Sequence, residues 1–167
     1  MSGLFIQMTG LSGAGKTTLA QAAAQKLRKD GLNVEVIDGD EYREGLCSDL
    51  GFSKQDRNTN IRRLGFVGRI LARNNVVAIM SAINPYDEVR RQIEGSVVYI
   101  KSSLEAVIER DVKGLYAKAL SGEIPNFTGI SDPFEEPENP HLVIETDKQN
   151  LDQSITALYE YIKANVT

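Results

Sequence analysis

The chain has 167 residues, of which 41% are hydrophobic, and we expect residues 1–167 to form one domain with a single sizeable core. Its formal net charge of −4 argues against general binding to nucleic acid or to an anionic membrane surface. One cysteine, Cys47, excludes an internal disulfide, and neither a signal peptide nor a membrane-spanning run is apparent, so we expect a cytoplasmic protein.

The most informative segment is residues 10–17, which read GLSGAGKT and match the phosphate-loop pattern G-x-x-x-x-G-K-[ST]. The apolar residues 4–9 before it predict a strand, and residues 17–29 after it, rich in Ala, Leu, Gln and Lys, predict a helix. Glycines let successive backbone N–H groups point at phosphate oxygens. An ordinary glycine-rich turn is the alternative, but the complete motif in this setting favours a nucleoside triphosphate site.

The motif assigns roles to individual residues. Lys16 should reach the β- and γ-phosphates of ATP and act in catalysis, and the Thr17 hydroxyl should ligate Mg²⁺. The residues expected to contact the nucleotide phosphates are Gly10, Ser12, Gly13, Ala14, Gly15, Lys16, Thr17 and Thr18.

The rest of the chain alternates between strand-like and helical segments. Further strands are predicted at residues 32–38, 75–82, 96–101 and 141–145. Further helices are predicted at residues 54–73, from Pro85, at 103–110 and at 151–164. This alternation predicts an α/β fold of the phosphate-loop NTPase type, a parallel sheet of about five strands with helices on both faces.

Residues 113–140 break the alternation, because they contain three glycines and four prolines. A long segment without regular structure inside a compact domain is typical of disorder or of a functional lid. Its aromatic residues Tyr116, Phe127 and Phe134 argue against simple disorder. We therefore expect a lid that excludes water during phosphoryl transfer.

Two further groups of residues suggest a second binding site. Asp38-Gly39-Asp40 ends a predicted strand, where ligands of open α/β sheets bind, and its carboxylates suit water-mediated Mg²⁺ binding or proton acceptance. An ordinary Asp-Gly turn remains the alternative. Residues 54–73 carry six basic residues and one acidic residue, which favours an anionic small substrate over a merely solvated basic face. Phe52 beside this helix suits stacking or a place in the core.

In combination these motifs resemble the adenylylsulfate (APS) kinase family in its stand-alone form. The resemblance covers residues 4–146 and rests on the phosphate loop, Asp38-Gly39-Asp40 with Arg43, and Gly51-Phe52-Ser53 followed by Asp56-Arg57 and Asn60-Ile61-Arg62-Arg63. It continues in Arg110-Asp111-Val112-Lys113-Gly114-Leu115-Tyr116, Gly122-Glu123-Ile124 and Phe127-Thr128-Gly129-Ile130. The family transfers the γ-phosphoryl group of ATP to the 3′-hydroxyl of adenylyl sulfate, which gives 3′-phosphoadenylyl sulfate (PAPS) in sulfate assimilation.

The resemblance implies residue roles. Asp40 would accept the 3′-hydroxyl proton or organise metal-bound water, and Arg110 would lie on the ATP side at the hinge of the lid. The implied contacts to adenylyl sulfate are Asp40, Arg43, Phe52, Arg57, Asn60, Ile83, Asn84, Lys113 and Phe127, with Phe52 and Phe127 enclosing the adenine. The family also implies a homodimer.

One position departs from the family pattern. Many members have Phe-Ile-Ser-Pro after the third strand, with a serine proposed to carry phosphate, whereas residues 82–85 here read AINP and place Asn84 at the serine position. An amide cannot accept a phosphoryl group, so we expect direct transfer. The alternatives considered are a kinase for a nucleoside monophosphate or sugar acid, a GTPase-type switch, and an inactive nucleotide-binding subunit.

Overall fold

The computed structural model describes residues 2–166, and its centre is a parallel sheet. The strands are β1 (Leu4–Thr9), β2 (Val34–Asp38), β3 (Val77–Ser81), β4 (Ser96–Lys101) and β5 (Leu142–Glu145). They lie in the order β2-β3-β1-β4-β5, and all neighbouring pairs are parallel. The predicted α/β fold with five parallel strands is confirmed.

The helices connect these strands. They are α1 (Lys16–Lys29), α2 (Gly39–Glu44), α3 (Lys54–Arg73), α4 (Asp87–Gln92), α5 (Leu104–Arg110), α6 (Leu115–Leu120) and α7 (Leu151–Asn165). The short helices α2 and α6 were not predicted, and the helix expected from Pro85 begins two residues later. Among residues 2–166 no helix is long and apolar enough to span a membrane.

Helices cover both faces of the sheet, which explains why its central strands are apolar on both sides. Successive side chains of β1 point to opposite faces, so Ile6 joins one buried cluster and Phe5 the other. The Ile6 cluster includes Leu19 of α1 and Leu158 of α7, and the Phe5 cluster is closed by α3 and α4. The strand β1 is thereby held between two packed layers.

Side-chain caps determine where several helices begin. The Ser53 hydroxyl accepts a hydrogen bond from Asp56 N–H and starts α3, and Ser103 caps α5 in the same way. Asn150 and Gln153 form a reciprocal capping box at the start of α7. The long basic helix α3 therefore begins at Lys54, two residues after Phe52.

The predicted lid, residues 113–140, packs against the body of the protein. It contains α6 and an isolated bridge between Thr128 and Asp132, so the expectation of a segment without regular structure was wrong in part. Its three aromatic residues explain this packing. Tyr116 is buried and contacts Phe127 edge to face, with ring centroids 5.0 Å apart, and Phe134 stacks on Tyr99 at 5.8 Å.

Helix α3 packs so closely on β1 that we expect a side chain at Gly68 to destabilise the protein. A Cβ atom at Gly68 would lie 2.4 Å from the Phe5 ring, so Gly68→Ala must displace a buried aromatic side chain. We expect this overpacking to exceed the helix propensity gained and to lower the free energy of unfolding by about 1–3 kcal/mol.

Urea unfolding monitored by circular dichroism measures this free energy. Gly45→Ala is the matched control, because a Cβ atom there would meet nothing within 4 Å among the described residues. Equal stability of the two variants would contradict the prediction.

Candidate active site

The phosphate loop follows the central strand β1, and the strand order places the ends of β3 and β4 on either side of it. Gly10 N–H donates to the Ile83 carbonyl at 3.1 Å, which ties the loop to the segment after β3. On the other side a Cβ atom at Gly10 would lie 2.3 Å from the Ile100 carbonyl oxygen, so only glycine fits there. The loop therefore lies where open α/β sheets bind ligands.

Three consecutive carbonyl groups of the loop accept hydrogen bonds from side chains outside it. The Tyr116 hydroxyl donates to Ser12 O at 2.7 Å, Arg110 donates to Gly13 O at 3.2 Å, and the Thr146 hydroxyl donates to Ala14 O at 2.6 Å. Within each trans peptide plane the next residue's N–H points the opposite way. The N–H groups of Gly13 and Gly15 are thus directed into the concave side of the loop, where an anion binds.

Lys16 lies inside this loop and is largely buried. Its ammonium group donates to Gly10 O at 2.9 Å and to Leu11 O at 2.8 Å. Burial, with a smaller contribution from nearby Lys113, lowers the pKa of Lys16 to about 7, although Asp38 and Asp40 oppose the shift. A buried cation with so low a pKa is suited to a ligand that brings negative charge to it.

A cluster of oxygen atoms lies at the start of α1. The Thr17 hydroxyl donates to Asp38 Oδ2 at 3.0 Å and lies 3.1 Å from the Ser81 hydroxyl. The other Asp38 oxygen accepts the N–H groups of Asp40 and Glu41 and so caps α2. One carboxylate with two hydroxyls suits Mg²⁺, which prefers few protein oxygens together with substrate phosphates.

Asp40 lies in α2, two residues after Asp38, and its side chain is more exposed than that of Asp38. Its carboxylate forms an ion pair with Lys113, the first residue of the predicted lid. This contact joins α2 to the lid beside the phosphate loop. The structure thus brings together two residues that are 73 positions apart in the sequence.

Burial lowers the pKa of Arg43, one of the basic residues predicted to contact the acceptor, and Asp40 and Arg57 lie close enough for their charges to affect it as well. Arg43 donates to Gly51 O at 2.6 Å, and its guanidinium group lies 4.5 Å from the centre of the Phe52 ring. Phe52 is 63% exposed, so it is a surface ring and not part of the core. Asn60 is buried, and its side-chain oxygen has no hydrogen-bond partner among residues 2–166.

Arg57 connects α3 to the lid. Its Nη1 donates to the Thr128 hydroxyl at 2.9 Å and to Asp132 Oδ2 at 3.1 Å, and its Nη2 donates to the carbonyl of Asn126. Phe127 lies between these contacts and packs against Tyr116. No ring contact joins Phe52 to Phe127 in the described part of the chain, so their enclosure of an adenine stays a prediction.

Ile83 and Asn84 lie beneath the loop. The Ile83 carbonyl accepts from Gly10 N–H and from the Thr9 hydroxyl. Asn84 is 1% exposed, and its amide donates to Gln7 Oε1 at 3.1 Å and to Met8 O at 3.3 Å. The Asn84 amide nitrogen therefore faces the sheet, whereas its side-chain oxygen has no hydrogen-bond partner among residues 2–166, so its predicted contact with substrate stays a prediction.

Several groups at this site escaped the sequence prediction. Thr146 contributes a hydroxyl that no local pattern indicates, and the position of the Ser81 hydroxyl beside Thr17 was not predicted. Tyr116 belongs to one of the motifs that resemble the family, so the sequence marked the residue, although it did not indicate the contact with the loop. Arg90 is buried and donates to the Thr9 hydroxyl at 3.0 Å and to Asn84 O at 3.2 Å. It supports the base of the loop from α4.

A cavity of about 650 Å³ separates the lid from the body of the protein beside the loop. Leu11, Ser102 and Leu104 line it from the body, and residues 129–134 line it from the lid. The lid thus forms one wall of a cavity that reaches the phosphate loop at Leu11, and its role in excluding water stays a prediction.

Comparison with known proteins agrees with this geometry. A model of the family described as "Adenylylsulphate kinase" matches residues 2–145. An adenylyl-sulfate kinase of Rippkaea orientalis is 49% identical over 166 residues, which cover 96% of this chain and 92% of the relative. One of Deinococcus deserti is 47% identical and covers 98% and 93% of the two chains.

The chain belongs to the adenylylsulphate kinase family.

A solved structure supports the same family. The Mycobacterium tuberculosis APS kinase CysC, in complex with AMPPNP and APS, superposes with a TM-score of 0.92 at 37% identity and covers 97% of this chain and 98% of that one. The chain is accordingly an adenylyl-sulfate kinase, which phosphorylates adenylyl sulfate to PAPS with ATP. The predicted family and reaction are confirmed, and the relatives above match over nearly their whole length, as the stand-alone form requires.

The lowered pKa of Lys16 predicts that nucleotide binding takes up a proton. Triphosphate oxygens favour the ammonium form, so bound nucleotide should raise this pKa above 7. Below about pH 6 Lys16 is already charged and no uptake follows, whereas at about pH 8.5 the bound state should gain about one proton. Affinity should fall as the pH rises above about 7, by up to about tenfold per unit.

Calorimetric titration with AMPPNP at about pH 8.5, in two buffers of different ionisation enthalpy, measures the proton uptake. Lys16→Arg is the control, because a guanidinium group stays charged and its uptake should vanish. Equal heats in both buffers for the original protein would contradict the prediction.

Proposed function

We propose that this chain binds ATP in the phosphate loop and transfers the γ-phosphoryl group directly to the 3′-hydroxyl of adenylyl sulfate, which lies between α2, α3 and the lid. The observation that carries the proposal is the position of Asp40. Its carboxylate is close enough to Lys16 of the phosphate loop and to Arg43 to oppose the lowering of their pKa values by burial, and it pairs with Lys113 at the start of the lid. A phosphoryl acceptor at this point is adjacent to both sites.

On the ATP side, the loop N–H groups and the helix dipole of α1 would hold the phosphates. Lys16 would exchange the carbonyl oxygens of Gly10 and Leu11 for the β- and γ-phosphates, where its charge counts most in the transition state. Thr18 would contact the nucleotide on the side of its α-phosphate. Arg110 donates hydrogen bonds to the carbonyls of Gly13 and Thr146, so its guanidinium group lies beside the loop, where it could contact the nucleoside.

Thr17 would hold Mg²⁺, with Asp38 and Ser81 acting directly or through water. When bound, the cation supplies positive charge to the phosphate oxygens. The support for this assignment is the set of three oxygen atoms already in contact at the start of α1.

On the acceptor side, Arg43, Arg57 and Asn60 would bind the phosphate–sulfate anhydride and the ribose. Phe52 and Phe127 would enclose the adenine, and Ile83 would contact it from the loop side. The ring of Phe52, exposed beside Arg43, and the side-chain oxygen of Asn60, which has no partner among residues 2–166, are free to take these roles. Asn84 would hold the segment that carries Ile83 in place, because its carbonyl accepts hydrogen bonds from Thr9 and Arg90.

Asp40 is better placed than Asp38 to accept the proton of the 3′-hydroxyl. Both oxygens of Asp38 accept hydrogen bonds from the protein, at the α2 cap and from Thr17. The side chain of Asp40 is 79% exposed and pairs with Lys113. The ammonium group of Lys113 would hold the carboxylate toward the acceptor and, after transfer, stabilise the negative product.

We further propose that the chain acts as a cytoplasmic homodimer. The family resemblance is the support for the dimer, and the single cysteine, the buried Cys47, agrees with a reducing compartment. Light scattering of the purified protein measures the assembly.

The decisive test is ADP formation with competing acceptors. Adenylyl sulfate should support turnover, and AMP, gluconate and shikimate should support less than about 1% of it, because they lack the anhydride or the adenine. Lys16→Ala should remain folded and lose about a hundredfold or more in kcat. Lys29→Ala, an exposed lysine at the other end of α1, is the matched control. Faster turnover with any other acceptor would overturn the proposal.

Direct transfer makes a separate prediction. With γ-labelled ATP and no acceptor, the denatured protein should carry no stoichiometric label, and the configuration at a chiral γ-phosphorus should invert on transfer. Asn84 has no nucleophile, and the nearby hydroxyl of Ser81 already contacts Thr17. Label on Ser81 that passes to adenylyl sulfate on a chase would exclude direct transfer.

A further inference from the structure

The contact between Arg57 and Asp132 is built into a rigid turn. Asp132 N–H donates to Phe127 O at 3.0 Å, and Gly129 N–H donates to Asp132 O at 2.8 Å. The side chains of Arg57 and Asp132 are 12% and 22% exposed, so this ion pair is largely shielded from solvent. These bonds hold the backbone at Asp132, and the carboxylate lies 3.1 Å from Arg57 Nη1.

Arg57 has donors to spare. Its Nη1 is used by Thr128 and Asp132, and Nη2 by Asn126, but Nε makes no hydrogen bond with residues 2–166. A guanidinium group has five N–H donors, so Nε and one N–H of Nη2 remain for an anion. An anion bound at that edge would lie about 6 Å from the Asp132 carboxylate, across the width of one guanidinium group.

The region around Arg57 carries equal numbers of positive and negative side chains. Three cations, Arg43, Arg57 and Lys113, face three carboxylates, Asp40, Asp56 and Asp132. A site that selected for polyanions would instead carry a surplus of cations. The balance therefore favours ligands of low charge.

Adenylyl sulfate and ADP differ in their terminal group. The terminal sulfate carries one negative charge, whereas a terminal phosphate carries close to two at neutral pH. The two nucleotides have nearly the same shape, so charge is the property by which the acceptor site can distinguish them. A carboxylate near the terminal group repels the second charge.

We propose that Asp132 is a specificity-determining residue of the acceptor site, whose carboxylate favours a sulfate-terminated over a phosphate-terminated nucleotide. This inference rests on the proposed function, in which Arg57 binds the phosphate–sulfate anhydride. Asp132 contacts Arg57 and not the acceptor, so its effect is electrostatic.

The test compares the binding of adenylyl sulfate and ADP to the acceptor site while saturating AMPPNP fills the ATP site. Asp132→Asn keeps an oxygen for Arg57 and removes the charge. We expect the ratio of the two affinities to shift toward ADP by about tenfold, which corresponds to about 1.4 kcal/mol. Affinity for adenylyl sulfate itself should change by less than about threefold, because the carbonyl oxygen of the introduced amide still positions Arg57.

Glu138→Gln is the matched control, since Glu138 is an exposed lid carboxylate whose ion pair with Arg91 is a loose contact of 3.9 Å. It should leave the ratio unchanged. In the original protein, raising the salt concentration should also weaken the preference for adenylyl sulfate, and this response should be smaller in Asp132→Asn. An unchanged ratio in Asp132→Asn, or an equal shift in Glu138→Gln, would overturn the inference.

Arg57→Lys separates this inference from the proposed function. If Arg57 binds the anhydride, a lysine should weaken adenylyl sulfate binding by about tenfold or more, because it cannot form a bidentate contact. If Arg57→Lys leaves that binding intact, the proposed acceptor site is wrong. If it weakens binding while Asp132→Asn leaves the ratio unchanged, only the role of Asp132 is wrong.

Discussion

The outward bonding of three carbonyl groups in the phosphate loop is the constraint on which the site depends. Each donor comes from a different part of the chain: Tyr116 from α6 in the lid, Arg110 from the end of α5, and Thr146 from the segment after β5. These contacts fix the peptide planes that direct N–H groups inward. The loop is therefore shaped by the packing of the whole β4–β5 side of the sheet, and a glycine-rich sequence alone does not determine it.

The same lid that contacts the phosphate loop also contacts α3 and α4. Arg57 of α3 bonds residues 126–132, and Arg90 of α4 donates to the Glu135 carbonyl, so two arginines join the body to successive parts of the lid. Arg57 has two N–H donors without a partner among residues 2–166, whereas Arg90 is buried against Thr9 and Asn84. Under the proposed function, lid position and acceptor binding would share the guanidinium group of Arg57, whereas Arg90 attaches the lid near Glu135 without contacting the acceptor.

The sequence predicted what depends on periodicity and motif, and it missed what depends on distant contacts. Strands, long helices and the phosphate loop were predicted because apolar alternation and glycine spacing are local signals. Helices α2 and α6 were missed because helices this short are not stable alone; caps from Asp38 and Asp111 help to hold them. The Arg57–Asp132 pair joins residues 75 apart, and no local pattern indicates such a pairing.

Asn84 shows how a departure from the family pattern can be compatible with the reaction. Its backbone has φ of 50°, in the left-handed region, which asparagine tolerates better than most residues. Its carbonyl accepts from the Thr9 hydroxyl at 2.8 Å and from Arg90, and its amide reaches Gln7 and Met8 of β1. The position therefore braces the strand that leads into the phosphate loop. The amide nitrogen is committed to β1, so this asparagine helps to hold the strand and the loop in place whether or not it also contacts substrate as predicted.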